Sequence, residues 1–380
     1  MTGSNTSPEI RFGLAGVIVD ETAVSSVMAE TNSLTYRGYP VQDLAARCSF
    51  EEVACLLLHG DLPGKADLAA FAEEERAQRA LDDDHIRLIA AGPKQAHPMD
   101  TLRTVVSALG ERDPDAGDDS PKALLRQSVR LLAKLPTIVA ADQRIRRGHK
   151  PIPPDPGLPY TKNFFNMCFG AVPEPAVLRC FETSLVLYAE HSFNASTFAA
   201  RVITSTLSDL CSAVVGAIGA LKGPLHGGAN EAVMHMMLEI GTPDRAEAFI
   251  NRALDEKRKI MGFGHRVYKD GDSRVPTMTR AFRQMAQIKD GGQWVEMADI
   301  IEKTMSARTG IKPNLDFPTG PAYHLMGFDI PVFTPIFVMS RITGWCAHII
   351  EQSDNNKLIR PLSAYIGPKQ RPVAGHPERV

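Results

Sequence analysis

The 380-residue chain carries little net charge, few cysteines and no long hydrophobic run. Its 42 basic residues against 44 acidic ones give a formal net charge of -2, so composition offers no electrostatic case for nucleic-acid or membrane partners. The six cysteines form no CxxC pair and lie in apolar segments, which favours reduced, buried thiols over disulfides or a zinc site. No apolar run approaches the roughly 18 residues that indicate a membrane span.

Other absences set the expected location and exclude a metal. The opening residues MTGSNTSPEIRFG contain neither an apolar signal region nor an arginine-rich amphipathic stretch, so we expect a cytoplasmic protein. No HExxH motif and no carboxylate cluster of ligand spacing occurs, so no bound metal is expected. A hydrophobic content of 44% supplies ample material for a large core.

Helical periodicity dominates what is present. From about Val41 onward, apolar residues recur mostly every three to four positions, which predicts a nearly all-α fold. The earlier stretch GLAGVIVDETAVSSV (13–27) is rich in β-branched residues and predicts a small strand pair. Helices are expected to begin at Ser120-Pro121 and Thr242-Pro243, where a capping residue precedes a proline, and one should end at Gly241.

Three residues are the first candidates for chemistry. His226, His265 and Asp316 each lie in a glycine-bounded break between helical stretches, in GPLHGGAN, GFGHRVYK and KPNLDFPTG. Two imidazoles and a carboxylate are the minimum set for removing a proton from carbon while donors hold a carbonyl oxygen. The pattern indicates enolisation and carbon–carbon bond formation.

Each candidate also has a purely structural interpretation. His226 could cap a turn, but the glycines after it allow a tight turn into the helix EAVMHMMLEI, where the positive end of the dipole favours a neutral, hydrogen-bond-donating imidazole. Asp316 alone is as typical of a turn former as of a base. His265 follows a strongly basic segment that suits a phosphate-bearing ligand, although GFGHRV has neither GxGxxG nor P-loop spacing. The basic residues are Lys257, Arg258, Lys259, Arg266, Lys269 and Arg274.

Arginines supply a second kind of signal. Arg341 lies in PIFVMSRITGWCAHII, and no acidic residue occurs between Asp329 and Glu351. A buried guanidinium there needs a distant carboxylate or an anionic ligand, and the sequence leaves both open. Arg274 and Arg360 also stand beside turn residues, and the three together could hold a dicarboxylate by bidentate contacts.

Six segments in this order, EHSFNAST, KGPLHGGANEAV, KIMGFGHRVY, KPNLDFPTG, SRITGWCAHIIEQ and NKLIRP, resemble the citrate synthase family. The resemblance runs from about Gly13 to Pro372. The C-terminal run DNNKLIRPLSAYIGPKQRPV resembles bacterial 2-methylcitrate synthases more closely than the longer, NADH-regulated citrate synthases. One departure is Gly-Asp-Ser-Arg at 271–274, where the family commonly has Asp-Pro-Arg.

The resemblance implies an all-α, two-domain helical fold, with a small domain (226–334) closing on a large one (1–225 and 335–380). It implies Asp316 as the base that deprotonates an acyl-CoA thioester, His226 as the donor to the thioester oxygen, and His265 as the group that polarises the keto group of oxaloacetate. Carboxylates of oxaloacetate and product would be bound by His191, Arg274, Arg341 and Arg360. In a homodimer, Arg360 would reach into the site of the neighbouring subunit. Coenzyme A would follow Lys259, Ile260, Met261, Gly262 and Phe263, as a substrate, with no separate cofactor.

The activity implied by the resemblance is condensation of propionyl-CoA with oxaloacetate and release of 2-methylcitrate and CoA, with side activity on acetyl-CoA. Citrate synthase activity with acetyl-CoA is the alternative. A rival of another class is a protein that binds CoA or a dicarboxylate without catalysis, and the presence of all three catalytic candidates favours an enzyme over it.

Overall fold

The computed structural model describes residues 10–268 and 270–371, so Lys269 of the basic segment and Pro372 lie outside the described residues. The described chain contains sixteen α-helices and three short strands, which confirms the all-α prediction with a small N-terminal β segment. Helices α1 to α8 are Val41–Arg47, Phe50–His59, Lys65–Ala77, Asp83–Ala91, Pro98–Glu111, Pro121–Arg146, Tyr160–Phe169 and Pro175–Tyr188. Helices α9 to α16 are Ala195–Thr204, Leu210–Leu221, Ala229–Ile240, Ala246–Asp255, Val275–Ile288, Gly292–Thr309, Asp316–Leu325 and Phe333–Asp354.

The strands lie later than the sequence predicts. Strands β1 (Ser25–Met28), β2 (Ser33–Tyr36) and β3 (Tyr39–Pro40) form an antiparallel sheet in the order β1-β2-β3. Only the last three residues of the predicted segment 13–27 belong to it. The prediction was wrong in position because Gly13 and Gly16 take positive φ angles of 62° and 72°, which interrupt an extended strand. Ile18 is 91% exposed, so this stretch has no apolar layer to pack against.

Helix boundaries follow the capping chemistry in two of three cases. Helix α6 begins at Pro121, and the Ser120 side chain accepts a hydrogen bond from the Ala123 amide at 3.4 Å, as predicted. Helix α11 ends before Gly241, whose φ is 83°. The predicted start at Thr242-Pro243 was wrong, because Pro243–Arg245 form a single 3-10 turn and α12 begins only at Ala246.

Helix α16 is the central helix of the large core. It packs against α6, α8, α9 and α10, and its Trp345 is fully buried. The segment Ile330–Asp354 is long and apolar enough to cross a membrane, but 89% of its most apolar window is buried inside the protein. Those side chains therefore already have apolar neighbours within the fold, as in the core helix of a globular protein.

The site is positioned by the way α15 packs. Helix α15 lies against α8, α11 and α13, which are far from it in sequence. Gly320 permits the close approach of α15 to α11, because a Cβ at this position would lie 2.6 Å from the Asn230 carbonyl oxygen. The turn before α11, the loop before α13 and the start of α15 are thereby brought beside the end of α8.

Candidate active site

The carboxyl end of α8 is the centre of the candidate site. Tyr188, its last residue, donates a hydrogen bond from its hydroxyl to Asp316 Oδ1 at 2.6 Å. Its main-chain carbonyl accepts one from Arg341 Nε at 2.7 Å, and the Leu187 carbonyl accepts one from Arg274 Nη1 at 3.3 Å. The last carbonyls of a helix lack partners within it, and two cations therefore stabilise this end of α8.

Asp316 is the first residue of α15 rather than part of a loop between helices, which corrects the prediction that it lies in a break. Its side chain is half-buried, and desolvation raises its pKa from 3.8 to about 6. The Tyr188 hydrogen bond and the positive charges of Arg274 and Arg341 oppose that rise. The result is a carboxylate whose proton affinity is matched to a proton transfer near neutral pH.

His226 lies in the turn before α11, and its ring is held by the N-terminus of a different helix. The Ser196 amide, in the first turn of α9, donates to His226 Nε2 at 3.3 Å, and the Ser196 hydroxyl lies 2.8 Å from the same nitrogen. Asn194 Oδ1 lies 3.2 Å from the same nitrogen and can only accept, whereas the Ser196 amide can only donate, so these neighbours leave both tautomers of the ring open. Burial and the charge of Arg341 lower the pKa of His226 to about 3, so the imidazole is neutral.

The tautomer of His265 is fixed by its own loop. Its Nδ1 accepts hydrogen bonds from the amides of Val267 at 3.0 Å and Tyr268 at 3.1 Å, which places the ring proton on Nε2. Desolvation, followed by the charge of Arg274, lowers the pKa of His265 to about 4. The site therefore contains two neutral imidazoles, and the Nε2–H of His265 makes no hydrogen bond to another described residue.

His191 lies three residues after the end of α8, with its ring centroid 4.9 Å from that of His265. It is 7% exposed, and its buried Nε2 makes no hydrogen bond within the described chain. Burial lowers its pKa well below the ordinary value. A buried polar atom without a partner costs free energy, which is typical of a group that a ligand completes.

Arg274 and Arg341 are both buried but differ in their partners. Arg274 makes a two-point ion pair with Asp272, with Nε to Oδ1 at 2.9 Å and Nη2 to Oδ2 at 2.7 Å. Arg341 forms no ion pair with any described carboxylate; its guanidinium carbon lies 4.7 Å from the centroid of the Phe337 ring. Burial lowers the pKa of Arg341 to about 10, because taking a cation out of water disfavours its charged form. An anionic ligand would offset that cost.

The predicted coenzyme segment, Lys259 to Phe263, forms the approach to the His265 loop. Gly262 has a φ of 83°, and a Cβ there would lie 2.5 Å from Val233 Cγ2, so the position favours glycine. The Gly262 carbonyl accepts from the Asn314 amide at 2.9 Å, and the Gly264 amide donates to the Lys312 carbonyl at 2.8 Å. These bonds hold the His265 loop against the segment that leads into Asp316. Lys259 is exposed, whereas Ile260 and Phe263 are buried.

Arg360 is the one predicted site residue that the structure does not bring to the others. It lies exposed in the extended segment after α16, and it makes no hydrogen bond or ion pair with another described residue. Within the described ranges, no group of three His, Cys, Asp or Glu side chains could hold a metal ion, and the six cysteines are free.

Sequence reasoning missed several residues that build the site. Tyr188 was not singled out, because a tyrosine at the end of an apolar helix has the same periodicity as a core residue. Asp272 was noted only as part of an altered motif. Ser196 stands in EHSFNAST, and a capping signal marks it: Asn194 caps α9 by accepting from the Thr197 amide at 3.1 Å.

The chain matches known proteins along nearly its whole length. The family model for the citrate synthase C-terminal domain matches residues 13–362. A 2-methylcitrate synthase from Mycobacterium tuberculosis strain H37Rv is 61% identical over 368 residues, covering 97% of this chain and 93% of the relative. A citrate synthase from Mycolicibacterium smegmatis is 62% identical over 365 residues, covering 96% and 97%.

A solved structure gives the same result at the level of the fold. The citrate synthase of Thermoplasma acidophilum in ternary complex with carboxymethyl coenzyme A and oxaloacetate superposes with a TM-score of 0.90 at 31% identity, covering 98% of this chain and 100% of that one. These matches define an enzyme that transfers an acyl group in a condensation. The chain belongs to the citrate synthase family.

Proposed function

We propose that this enzyme condenses propionyl-CoA with oxaloacetate and hydrolyses the thioester, releasing 2-methylcitrate and CoA. The observation that carries the proposal is the joint arrangement of a desolvated carboxylate with a pKa of about 6 and two neutral imidazoles. The near-full-length identity to a protein named 2-methylcitrate synthase supports the choice of acyl group.

In the proposed first step, Asp316 takes a proton from the α-carbon of the thioester. A carboxylate of raised pKa is a stronger base than an exposed one and is still ionised at pH 7. His226 donates from Nδ1–H to the thioester oxygen as the enol forms. Its Nε2 lies against the Ser196 amide and hydroxyl, so Nδ1 is the ring nitrogen left for the thioester oxygen.

In the proposed second step, the enol carbon attacks the keto carbon of oxaloacetate, and His265 donates from Nε2–H to the keto oxygen. The neutral ring stabilises negative charge that develops on that oxygen. Water then attacks the thioester carbonyl of the condensed product and the CoA thiol leaves, which makes the sequence irreversible.

The carboxylates of oxaloacetate are assigned to His191, Arg274 and Arg341. Support comes from the unpartnered Nε2 of His191 and from the absence of an ion pair for Arg341 among the described residues. Arg274 is held in place by Asp272, so its remaining N–H groups are oriented in advance.

The domain division stays a proposal, with residues 226–334 closing on residues 1–225 and 335–380. It is supported by the way the site is divided, since His226, His265 and Asp316 come from the smaller part while His191 and Arg341 come from the larger. Neither part alone contains the complete set. Closure would exclude water until condensation is complete.

We also propose a cytoplasmic homodimer in which Arg360 completes the partner's site. The exposed position of Arg360, without hydrogen bonds to other described residues, supports this assignment. The assignment of Lys259 to Phe263 to coenzyme A is supported by the close backbone packing around Gly262 and by the basic residues beside it. That no cofactor other than the CoA substrate is needed stays a prediction.

Citrate synthase activity with acetyl-CoA is the second candidate, because the relative at 62% identity carries that name. The two acyl groups differ by one methylene, and a hydrophobic pocket gains only roughly 1–3 kcal/mol from it, or about 10- to 200-fold. Acetyl-CoA is the smaller donor and fits any pocket shaped for propionyl-CoA, so measurable activity with it is expected.

Steady-state kinetics with both donors at saturating oxaloacetate test the proposal, with CoA release followed by a thiol reagent. We expect kcat/KM for propionyl-CoA to exceed that for acetyl-CoA by about 10- to 200-fold. An equal or higher value for acetyl-CoA would overturn the proposal in favour of citrate synthase. No CoA release with either donor would instead favour the non-catalytic rival.

A further inference from the structure

Tyr188 connects the proposed base to the residues that are assigned to oxaloacetate. Its hydroxyl bonds to Asp316, while its carbonyl accepts from Arg341 Nε. The ring is 1% exposed and its centroid lies 4.0 Å from that of Phe337, on which the Arg341 guanidinium also packs. The phenol is therefore fixed at both its ring and its backbone.

The direction of the hydrogen bond between the phenol and the carboxylate follows from burial. Burial raises the pKa of Tyr188 well above its ordinary value, and the neighbouring charge of Asp316 raises it further. The phenol thus stays protonated and donates a hydrogen bond to Oδ1. Asp316 Oδ2 makes no hydrogen bond with another described residue. One oxygen is held by Tyr188, and the other is left to accept a proton.

We propose that Tyr188 is a positioning residue for the condensation: its hydroxyl fixes the orientation of the Asp316 carboxylate and keeps that carboxylate ionised at working pH. This inference rests on the proposed function, in which Asp316 is the base. A hydrogen bond to the charged form lowers proton affinity, and a bond from a buried phenol loses little entropy because the donor is already fixed.

Other charged and titratable groups also act on Asp316. Arg274 and Arg341 favour its ionised form, whereas Asp272 opposes ionisation. Tyr323, on α15 itself, is close enough for the charge of Asp316 to raise its pKa, but its hydroxyl pairs with Ser184 Oγ at 2.9 Å and not with the carboxylate. Among the described side chains, only Tyr188 makes a hydrogen bond to the Asp316 carboxylate. Loss of this one hydroxyl therefore separates the effect of the hydrogen bond from the effects of the nearby charges.

The test is the pH dependence of kcat/KM in Tyr188→Phe. The wild-type enzyme should lose activity below an acid limb near pH 6, where Asp316 takes up a proton. In Tyr188→Phe the limb should move upward by about one pH unit or more, since hydrogen bonds to ionised groups are the strong ones. Activity on the alkaline plateau should fall by no more than about tenfold, because the base is ionised there and only the orientation given by Tyr188 is lost.

Tyr323→Phe is the matched control, because it removes a buried phenol hydroxyl from the same helix as Asp316 without touching the carboxylate. Its limb should stay at the wild-type pH. A variant with 2,3-difluorotyrosine at position 188 keeps the shape but donates more strongly, and its limb should move to lower pH. An unchanged limb in both Tyr188 variants, or an equal shift in Tyr323→Phe, would overturn the proposal.

A readout without turnover separates this inference from the proposed function. The carboxyl band of Asp316 can be titrated by infrared difference spectroscopy and assigned by its loss in Asp316→Asn. An upward shift of that titration in Tyr188→Phe supports the role of Tyr188 even if neither acyl-CoA is a substrate. A titration that does not move refutes it even if the enzyme condenses propionyl-CoA.

Discussion

Replacing the proposed base, Asp316→Asn, should abolish most activity and at the same time stabilise the fold. Asparagine keeps the shape of the side chain and an oxygen that can accept from Tyr188, but it cannot take a proton. Turnover should fall by about two to four orders of magnitude, while oxaloacetate affinity changes little.

The gain in stability follows from the pKa of Asp316. In the folded state it is about 6, against an ordinary value of 3.8, so the folded protein binds this proton more tightly than the unfolded chain. Wild-type stability therefore falls as pH rises between these two values, by about 3 kcal/mol at about 1.4 kcal/mol per pKa unit. Asparagine does not ionise, so Asp316→Asn does not lose this stability as pH rises. Its unfolding midpoint at pH 7.5 should lie about 4 °C above wild type for a chain of this length.

Thermal unfolding at two pH values, followed by circular dichroism, measures this effect. The difference between Asp316→Asn and wild type should shrink to about half at pH 5, where the folded wild type is mostly protonated at this residue. Asp272→Asn is the control of opposite sign, because it leaves the buried Arg274 charge unpaired and should destabilise the fold by about 3–5 kcal/mol. An Asp316→Asn variant that is less stable than wild type by the same amount at both pH values would refute the desolvation argument, and near-normal turnover would refute the role as base.

Two further predictions concern the arginines. Arg341→Leu should fold, because a hydrophobic residue is often tolerated in place of a buried charge, yet it should lose oxaloacetate binding in calorimetry; unfolding without loss of affinity in the remaining native fraction would identify a structural role instead. Arg360→Ala and Asp316→Asn homodimers should each be nearly inactive, but mixed dimers should contain one intact site and recover about a quarter of wild-type activity after statistical mixing. No recovery on mixing would contradict the assignment of Arg360 to the partner's site.

Much of the helical framework could be predicted from the sequence, because capping residues, prolines and glycines act locally. Ser120-Pro121 does begin α6, and the glycine after α11 does end it, since these effects depend only on neighbouring backbone. The strand prediction failed because strand pairing depends on partners elsewhere in the chain. The sequence motifs also selected His226, His265 and Asp316, and the family membership that they predicted is confirmed.

Only the tertiary structure decided the protonation states and the neighbours of those residues. The sequence does not contain the desolvation of Asp316, because that depends on how α15 packs against α8 and α11. The ring of His226 is held by the N-terminus of α9, thirty residues away. Tyr188 acquires its place beside the base only when the end of α8 meets the start of α15. Local chemistry fixes which residues begin and end a helix, whereas charge and proton affinity depend on what the folded chain brings within hydrogen-bond distance.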